Sequence, residues 1–208
     1  MLGGQDVTVN VASMSNAGGA VRANQDVSAK GAIAGSGEMT AGRDLSLDVA
    51  GDYLNDAANH LKADGNLRVA ASGTLTNTGA LAAAGNLTVA GTNVINATGG
   101  GMNGTMTTVQ AANAITNAGR IEGDTVQTTS TTLDNTGTVI GNTVQVQATD
   151  LTNTGASRSS PPRRTSRSTR PTRCQTSMAR RCTARATCRL PATARVTPAA
   201  CSPIRSIP

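Results

Sequence analysis

The sequence predicts an all-β protein, with a parallel β-helix (a solenoid) of about eight coils over residues 1–156 and a disordered tail over residues 157–208. Short phrases recur about every twenty residues through the first part. Each phrase alternates apolar and polar residues, which is typical of strands with one buried face. The chain has no Trp, no Phe and a single Tyr. A thin repetitive core of aliphatic side chains therefore fits better than a globular core.

The most regular phrase is Leu75-Thr-Asn-Thr-Gly79, which returns at Leu133–Gly137 and Leu151–Gly155, with variants at 115–119 and 95–99. Its asparagines recur at steps of 18 to 21 residues. Asn and Gly are the residues that tight corners between strands prefer. The amides either stack into a ladder along the rod or only supply turns. The predicted structural corner residues are Asn77, Gly79, Asn96, Gly99, Asn117, Gly119, Asn135, Gly137, Asn153 and Gly155.

Two further phrases interleave with the first, so each coil has three strands. Gly85-Asn-Leu-Thr-Val89 has counterparts at 5–9, 43–49, 65–69 and 142–146, and a third short strand follows each corner, as in 79–83. The alternation predicts three inward stacks. They are Val7, Val27, Leu45, Leu67, Leu87, Val126 and Val144; Leu54, Leu75, Ile95, Ile115, Leu133 and Leu151; and Leu61, Leu81, Ile121 and Val139. The pattern fades over 97–108, where we expect a longer loop.

The second part of the chain has a different composition. Residues 157–208 hold twelve Arg, all seven Pro and all four Cys, whereas all twelve acidic residues lie in 1–156. A nucleic-acid-binding tail would suit the Arg content but lacks the aromatic residues used for stacking. A zinc or disulfide module is not favoured, because zinc sites typically use Cys pairs that are closer in sequence than the Cys residues of this tail. The sequence favours a third interpretation, a frameshifted translation of a GC-rich gene, which makes the chain a fragment of a longer product.

Gly85-Asn-Leu-Thr-Val89 and Leu75-Thr-Asn-Thr-Gly-Ala-Leu81, with the recurrences at 133 and 151, resemble the filamentous haemagglutinin repeat. This repeat occurs in exoproteins of two-partner secretion systems, including contact-dependent growth inhibition toxins. The resemblance covers roughly 1–156 and implies a right-handed β-helical shaft. It also implies export through an outer-membrane two-partner transporter and contact with host or bacterial cell surfaces. From the resemblance we expect the intact parent protein to be secreted or at the cell surface. This chain shows no secretory signal, so its own export is uncertain.

We expect no catalytic residues, no cofactor, no metal, no nucleic-acid partner and no stable membrane insertion. Some parallel β-helices act on polysaccharides through acids clustered on adjacent coils, and Asp6, Asp26 and Asp44 recur before the first strand of a coil. Solvated turn aspartates are the simpler explanation. His60, the single His, is expected at the surface or a corner. The Gly-Gly-x-Gly-x-Asp repeat of a calcium β-roll is missing, and Thr-rich segments such as 128–132 fall at corners, which does not favour an ice-binding face.

The sequence therefore predicts a structural shaft segment of a bacterial adhesin. The alternative from the same resemblance is the stalk of a contact-dependent inhibition toxin, and a polysaccharide-acting enzyme is the remaining option.

Overall fold

The protein is a parallel β-helix with three faces and eight successive coils, as a computed structural model shows for residues 1–35, 37–57, 60–158 and 195–196. The regular elements of these described residues are all β-strands, with no helix. All strand pairs are parallel and join one coil to the next. This is the architecture that the repeats predict, and the disorder expected for 157–208 falls outside the described residues except at 157–158 and 195–196, which are strands.

Face A is a single nine-stranded sheet. Its strands are β1 (Leu2–Gly3), β3 (Ala20–Ala23), β5 (Glu38–Ala41), β8 (His60–Ala63), β11 (Ala80–Ala83), β13 (Gly101–Asn103), β15 (Arg120–Glu122), β18 (Thr138–Ile140) and β21 (Ala156–Arg158).

Faces B and C together form the thirteen-stranded sheet. Four long strands run through both faces: β2 (Val7–Ser15), β4 (Val27–Ala34), β12 (Leu87–Asn96) and β14 (Met106–Asn117). Short strands on face B are β6 (Leu45–Val49), β9 (Leu67–Ala71), β16 (Thr125–Thr129) and β19 (Thr143–Gln147). Short strands on face C are β7 (Tyr53–Asn55), β10 (Thr74–Asn77), β17 (Thr132–Asn135), β20 (Asp150–Asn153) and β22 (Arg195–Val196).

The core consists of rows of inward-pointing side chains. Each row is formed by residues that pair with one another in successive coils. The predicted stack that begins at Val7 lies on face B, and the one that begins at Leu61 lies on face A. The strand register confirms both. Thr107 completes the face B row between Leu87 and Val126, and Met102 completes the face A row between Leu81 and Ile121. Both added residues are fully buried. The core therefore runs without a gap through the region expected to be a loop.

The longer loop expected at 97–108 is wrong. The segment contains β13 and the start of β14, both in register with the coils on either side. The corner is longer here than in the preceding coil, because Gly100 follows Asn96 by four positions whereas Gly79 follows Asn77 by two. A tight turn absorbs the difference, because Gly100 N–H donates to the Ala97 carbonyl at 2.9 Å and Gly99 has a φ of 88°.

The predicted face C row is wrong at two places. Leu54 is half exposed, and Ile95 pairs with outward-facing Thr76; the inward positions belong to Tyr53 and Val94. In both segments two apolar residues stand side by side, so the alternation alone does not choose between them. A slip of one residue turns every side chain of a strand to the other side. The inward residue is the one that precedes the corner asparagine by two positions.

We predict that Leu87→Ala lowers the free energy of unfolding by about 2–5 kcal/mol, because it leaves a cavity in a closely packed row. Leu87 is fully buried between Leu67 and Thr107. The neighbouring Thr88 faces outward on the same strand, so Thr88→Ala is a matched control with an expected change below about 1 kcal/mol. Urea unfolding followed by far-ultraviolet circular dichroism measures both. Equal losses would contradict the inward assignment of Leu87.

Candidate functional site

The corner between face C and face A carries a continuous asparagine ladder. Five side-chain hydrogen bonds join six coils: each Nδ2 donates to the Oδ1 of the next asparagine at 2.7–2.8 Å. The ladder consists of Asn55, Asn77, Asn96, Asn117, Asn135 and Asn153. The first five are at most 2% exposed to solvent. Of the two alternatives considered for the corner amides, the structure contains the ladder.

The second amide hydrogen of four ladder asparagines, Asn55, Asn77, Asn96 and Asn117, has its own acceptor. Asn77 Nδ2 also donates to the Gly101 carbonyl at 3.3 Å, and Asn117 Nδ2 to the Thr138 carbonyl at 3.4 Å. Each acceptor opens the face A strand of the following coil. The amides therefore tie the corner of one coil to the first strand of the next, and their burial is compensated by hydrogen bonds.

Sequence analysis missed one member of the ladder. Asn55 lies in Leu54-Asn55-Asp56 and is not followed by the Gly that marked the other corners. Its position, 22 residues before Asn77, was the signal that could have identified it.

The corner glycines are required by close packing between coils. A Cβ on Gly119 would lie 2.3 Å from the Gly100 carbonyl oxygen, and one on Gly155 would lie 2.1 Å from that of Gly137. Neither glycine has a left-handed φ, so it is the close contact that requires glycine here. Gly99, predicted as a corner residue, does have a positive φ, but Gly100 occupies the stacked position next to Gly119. Gly79 lies at the same corner, where its N–H donates to the Asn55 carbonyl at 3.2 Å.

The corner between face A and face B carries the recurring aspartates. Asp6 accepts the backbone N–H of Asp26, Asp26 that of Asp44, and Asp44 that of Asn66, at 3.1, 3.1 and 2.7 Å. Asn66 continues the series by accepting the N–H of Asn86 at 3.0 Å. The side chains thus bond the neighbouring coil, which is more than the solvated turn that the sequence suggested. Asn66 and Asn86 were not among the predicted corner residues, although the repeat phrases at 65–69 and 85–89 contain them at the position of the aspartates.

Charged residues at this corner pair with one another. Arg43 Nε donates to Asp26 Oδ1 at 2.8 Å, and a second guanidinium nitrogen contacts Asp26 Oδ2. This hydrogen bond with Arg43 lowers the pKa of Asp26 below its ordinary value. On face A, one guanidinium nitrogen of Arg22 donates to both carboxylate oxygens of Glu38, at 2.8 and 2.9 Å, and lowers the pKa of Glu38 in the same way.

We predict that Arg43→Gln raises the pKa of Asp26 towards its ordinary value, because the charged partner is lost. A depressed pKa in the folded state stabilises the protein above the unfolded pKa, near 4, and this contribution disappears as the pH falls through the folded pKa. The variant should therefore be less stable than the parent at neutral pH and equal to it in strong acid. Carboxyl carbon NMR titration measures the pKa directly. Arg22→Gln is the control, since it should move Glu38 and leave Asp26 unchanged.

A shallow open depression of about 520 Å³ crosses coils five to eight at the same corner. Its polar residues are Asn103, Thr105, Arg120, Glu122 and Asp124. Glu122 contacts the Arg120 guanidinium and accepts from Asn103 Nδ2 at 3.1 Å. Asp124 accepts from Asn142 Nδ2 at 3.2 Å. Arg120 thus forms an ion pair with Glu122, whereas Asp124 is hydrogen-bonded to a neutral amide.

The remaining candidate residue, His60, is exposed at the start of strand β8, as expected. Among the described residues, no group of three or more His, Cys, Asp or Glu side chains is placed to hold a metal ion. Within that same part of the chain, no helix has the length and apolar character needed to cross a membrane.

Comparison of the chain with protein-family models, with characterised proteins and with solved structures found no match.

Proposed function

We propose that this solenoid serves as a structural shaft segment of a bacterial surface or secreted adhesin of the filamentous haemagglutinin type. The observation that carries the proposal is the equivalence of the repeat phrases in three dimensions. Leu75, Ile115, Leu133 and Leu151 all face inward on face C, two residues before a ladder asparagine. The phrases that carry the family resemblance are thus the ones that build the stack.

The physical properties of the stack suit a shaft. Each coil contacts only its neighbours, so length can grow by adding coils without changing the core. Ladders at two corners and hydrogen-bonded sheets on three faces join the coils along the axis. Outward positions on face B carry short or polar side chains, such as Ser46, Thr88 and Gln127, which keep the rod soluble.

The proposal includes no catalytic step. The aspartates that recur in the sequence accept backbone N–H groups, and Glu122 and Asp124 are engaged by neighbours. A carboxylate that acts as general acid or base must be within reach of its substrate. We assign these side chains to holding coils together, and we place the partner of the protein at host or bacterial cell surfaces. Export of the intact protein would use an outer-membrane two-partner transporter.

Surface labelling of the source cells tests the proposal. An antibody raised against the purified chain should label intact cells, and labelling should be lost when the transporter gene is deleted. Labelling that appears only after cells are permeabilised would overturn the proposal.

A second experiment asks what the shaft does at the surface. Beads coated with the full chain are mixed with host cells and with bacteria, and beads coated with the heat-unfolded chain are the control. Binding by the folded chain alone supports an adhesive shaft. Loss of a competitive advantage in co-culture on deletion of the gene, without loss of adhesion, would assign it to contact-dependent inhibition and overturn the adhesin role.

A further inference from the structure

The end of strand β13 carries an Asn-Gly dipeptide, Asn103-Gly104, and the sequence contains no other. Asn103 is exposed and faces outward on face A, where it pairs with Glu122 of the next coil. The backbone nitrogen of the residue after an asparagine can attack the side-chain amide carbon. Glycine, which has no Cβ, hinders that approach least. The dipeptide is therefore a candidate site of covalent change.

The glycine of this dipeptide is required by the packing between coils five and six. A Cβ on Gly104 would lie 2.8 Å from the Leu87 backbone nitrogen and 3.0 Å from Leu87 Cβ. Leu87 is fully buried in the face B row, so it has no space to move aside. The fold thus excludes any side chain at position 104. It leaves Asn103 beside the one residue that shields an asparagine least.

The backbone nitrogen of Gly104 is also weakly held. Its N–H donates to the Glu122 carbonyl at 3.4 Å, which is longer than the usual range for such bonds. Asn142 is an exposed asparagine at the same corner two coils later. The residue after it, Thr143, donates its N–H to the Asp124 carbonyl at 3.0 Å. The nitrogen of Gly104 is therefore freer to approach a side-chain carbon than that of Thr143.

We propose that Asn103 deamidates spontaneously in the folded solenoid, because the fold leaves the Gly104 nitrogen free enough to react. This nitrogen loses its proton to water and attacks Asn103 Cγ. The bond from Cγ to Nδ2 breaks, and the amino group takes a proton from water and leaves as ammonia. Closure within one chain makes the attack unimolecular. The product of this step is a cyclic succinimide.

Water opens the succinimide at either of its two carbonyl carbons. Attack at Cγ gives aspartate, and attack at the backbone carbonyl carbon of residue 103 gives isoaspartate. Overall one water molecule is consumed and one ammonia molecule is released, with no oxidation or reduction. The reaction therefore needs no enzyme and no cofactor.

The change places one carboxylate opposite another. Asn103 Nδ2 donates to Glu122 Oε2 at 3.1 Å, and Glu122 also contacts the Arg120 guanidinium. Deamidation removes this donor and adds a negative charge in its place, so the two carboxylates repel each other and compete for Arg120. Isoaspartate in addition lengthens the backbone between β13 and β14. The solenoid therefore gains negative charge with age at one defined corner of coils six and seven.

Peptide mass spectrometry of the full chain, aged in mildly alkaline buffer made with heavy-oxygen water, measures the reaction. An asparagine that passes through the succinimide takes up one heavy oxygen atom. We expect this label at Asn103 in the folded chain, as aspartate and isoaspartate. Label at Asn103 in urea but not in the folded chain would overturn the proposal. Asn103→Gln keeps the amide donor but would close a larger ring, so it should remain unlabelled; equal labelling of this variant would overturn the mechanism.

A second variant separates the effect of the fold from that of the dipeptide. Thr143→Gly creates a second Asn-Gly dipeptide at Asn142, where the N–H of position 143 is held at 3.0 Å. In urea the two dipeptides should react at similar rates. In the folded variant Asn103 should react at least about fivefold faster than Asn142, because the nitrogen beside Asn142 must first break a normal hydrogen bond. Equal rates in the folded chain would overturn the role given to the Gly104 N–H. If this variant does not fold, labelling of the folded parent chain decides the proposal.

Discussion

Asn117→Ala is expected to lower the free energy of unfolding by about 2–4 kcal/mol, because it breaks the asparagine ladder at a buried position. Asn117 accepts from Asn96 at 2.7 Å and donates to Asn135 at 2.7 Å and to the Thr138 carbonyl. Its removal leaves the buried amides of Asn96 and Asn135 without this hydrogen-bond partner. Alanine at this buried position does not let water take the place of the lost amide. Urea unfolding followed by circular dichroism measures the loss.

Asn93→Ala is the matched control for that substitution. Asn93 lies on face C outside the ladder, is only half-buried, and makes one long hydrogen bond of 3.4 Å to Thr74 Oγ1. A loss below about 1 kcal/mol is expected there. If the two variants lost equal stability, the ladder would contribute no more than an ordinary surface amide.

A charged variant distinguishes the hydrogen bonds from the volume of the side chain. In Asn117→Asp a carboxylate can still accept from Asn96 but has no hydrogen to donate to Asn135. Burial raises the pKa of such a group above its unfolded value, near 4. Stability then falls as the pH rises from that unfolded value through the raised folded pKa. The variant should therefore be closest to the parent in acid and least stable at neutral pH, whereas a pure volume effect would not depend on pH.

Gly137→Ala is expected to cost about 3 kcal/mol or more, since the added methyl group has no space between two coils. Its Cβ would lie 2.2 Å from the Gly119 carbonyl oxygen and 2.6 Å from the Ala118 carbonyl carbon. Both atoms belong to backbone that is fixed by hydrogen bonds, so neither can move without separating the coils. Thermal unfolding should show a lower midpoint and a loss of the cooperative transition.

Gly101→Ala provides the control for the glycine substitution. Gly101 also lies on face A, but a Cβ there meets nothing within 4 Å, and its φ lies outside the left-handed range. Alanine is therefore expected to be neutral or to stabilise by up to about 1 kcal/mol, because it restricts the unfolded chain. Equal destabilisation by both substitutions would contradict the role assigned to coil-to-coil contact at Gly137.

The sequence was sufficient for the fold and for most of the core because the repeat phrases keep a constant frame. Leu45, Leu67 and Leu87 each follow an Asp or Asn at the corner, so their alignment required no knowledge of the structure. The prediction was wrong at Leu54 and Ile95, where an apolar neighbour made the strand pattern ambiguous. The distance to the ladder asparagine would have resolved both cases.

Other features could not be inferred from one coil at a time. The reason for glycine at 119 and 137 is a carbonyl group of the adjacent coil, and no local sequence rule contains that contact. The partners of Asp26 likewise belong to a different coil, so the sequence indicated its position and left its interactions open.

The asparagine ladder also has a direction. Every one of its five amide bonds donates from the lower-numbered residue to the higher one. The six side-chain dipoles therefore add head to tail in a poorly polarisable interior, where each bond strengthens the next. Parallel sheets carry little net dipole of their own. The amide row consequently gives the rod an electrical polarity, partly negative towards Asn55 and partly positive towards Asn153, whose moment grows with every coil that carries the asparagine.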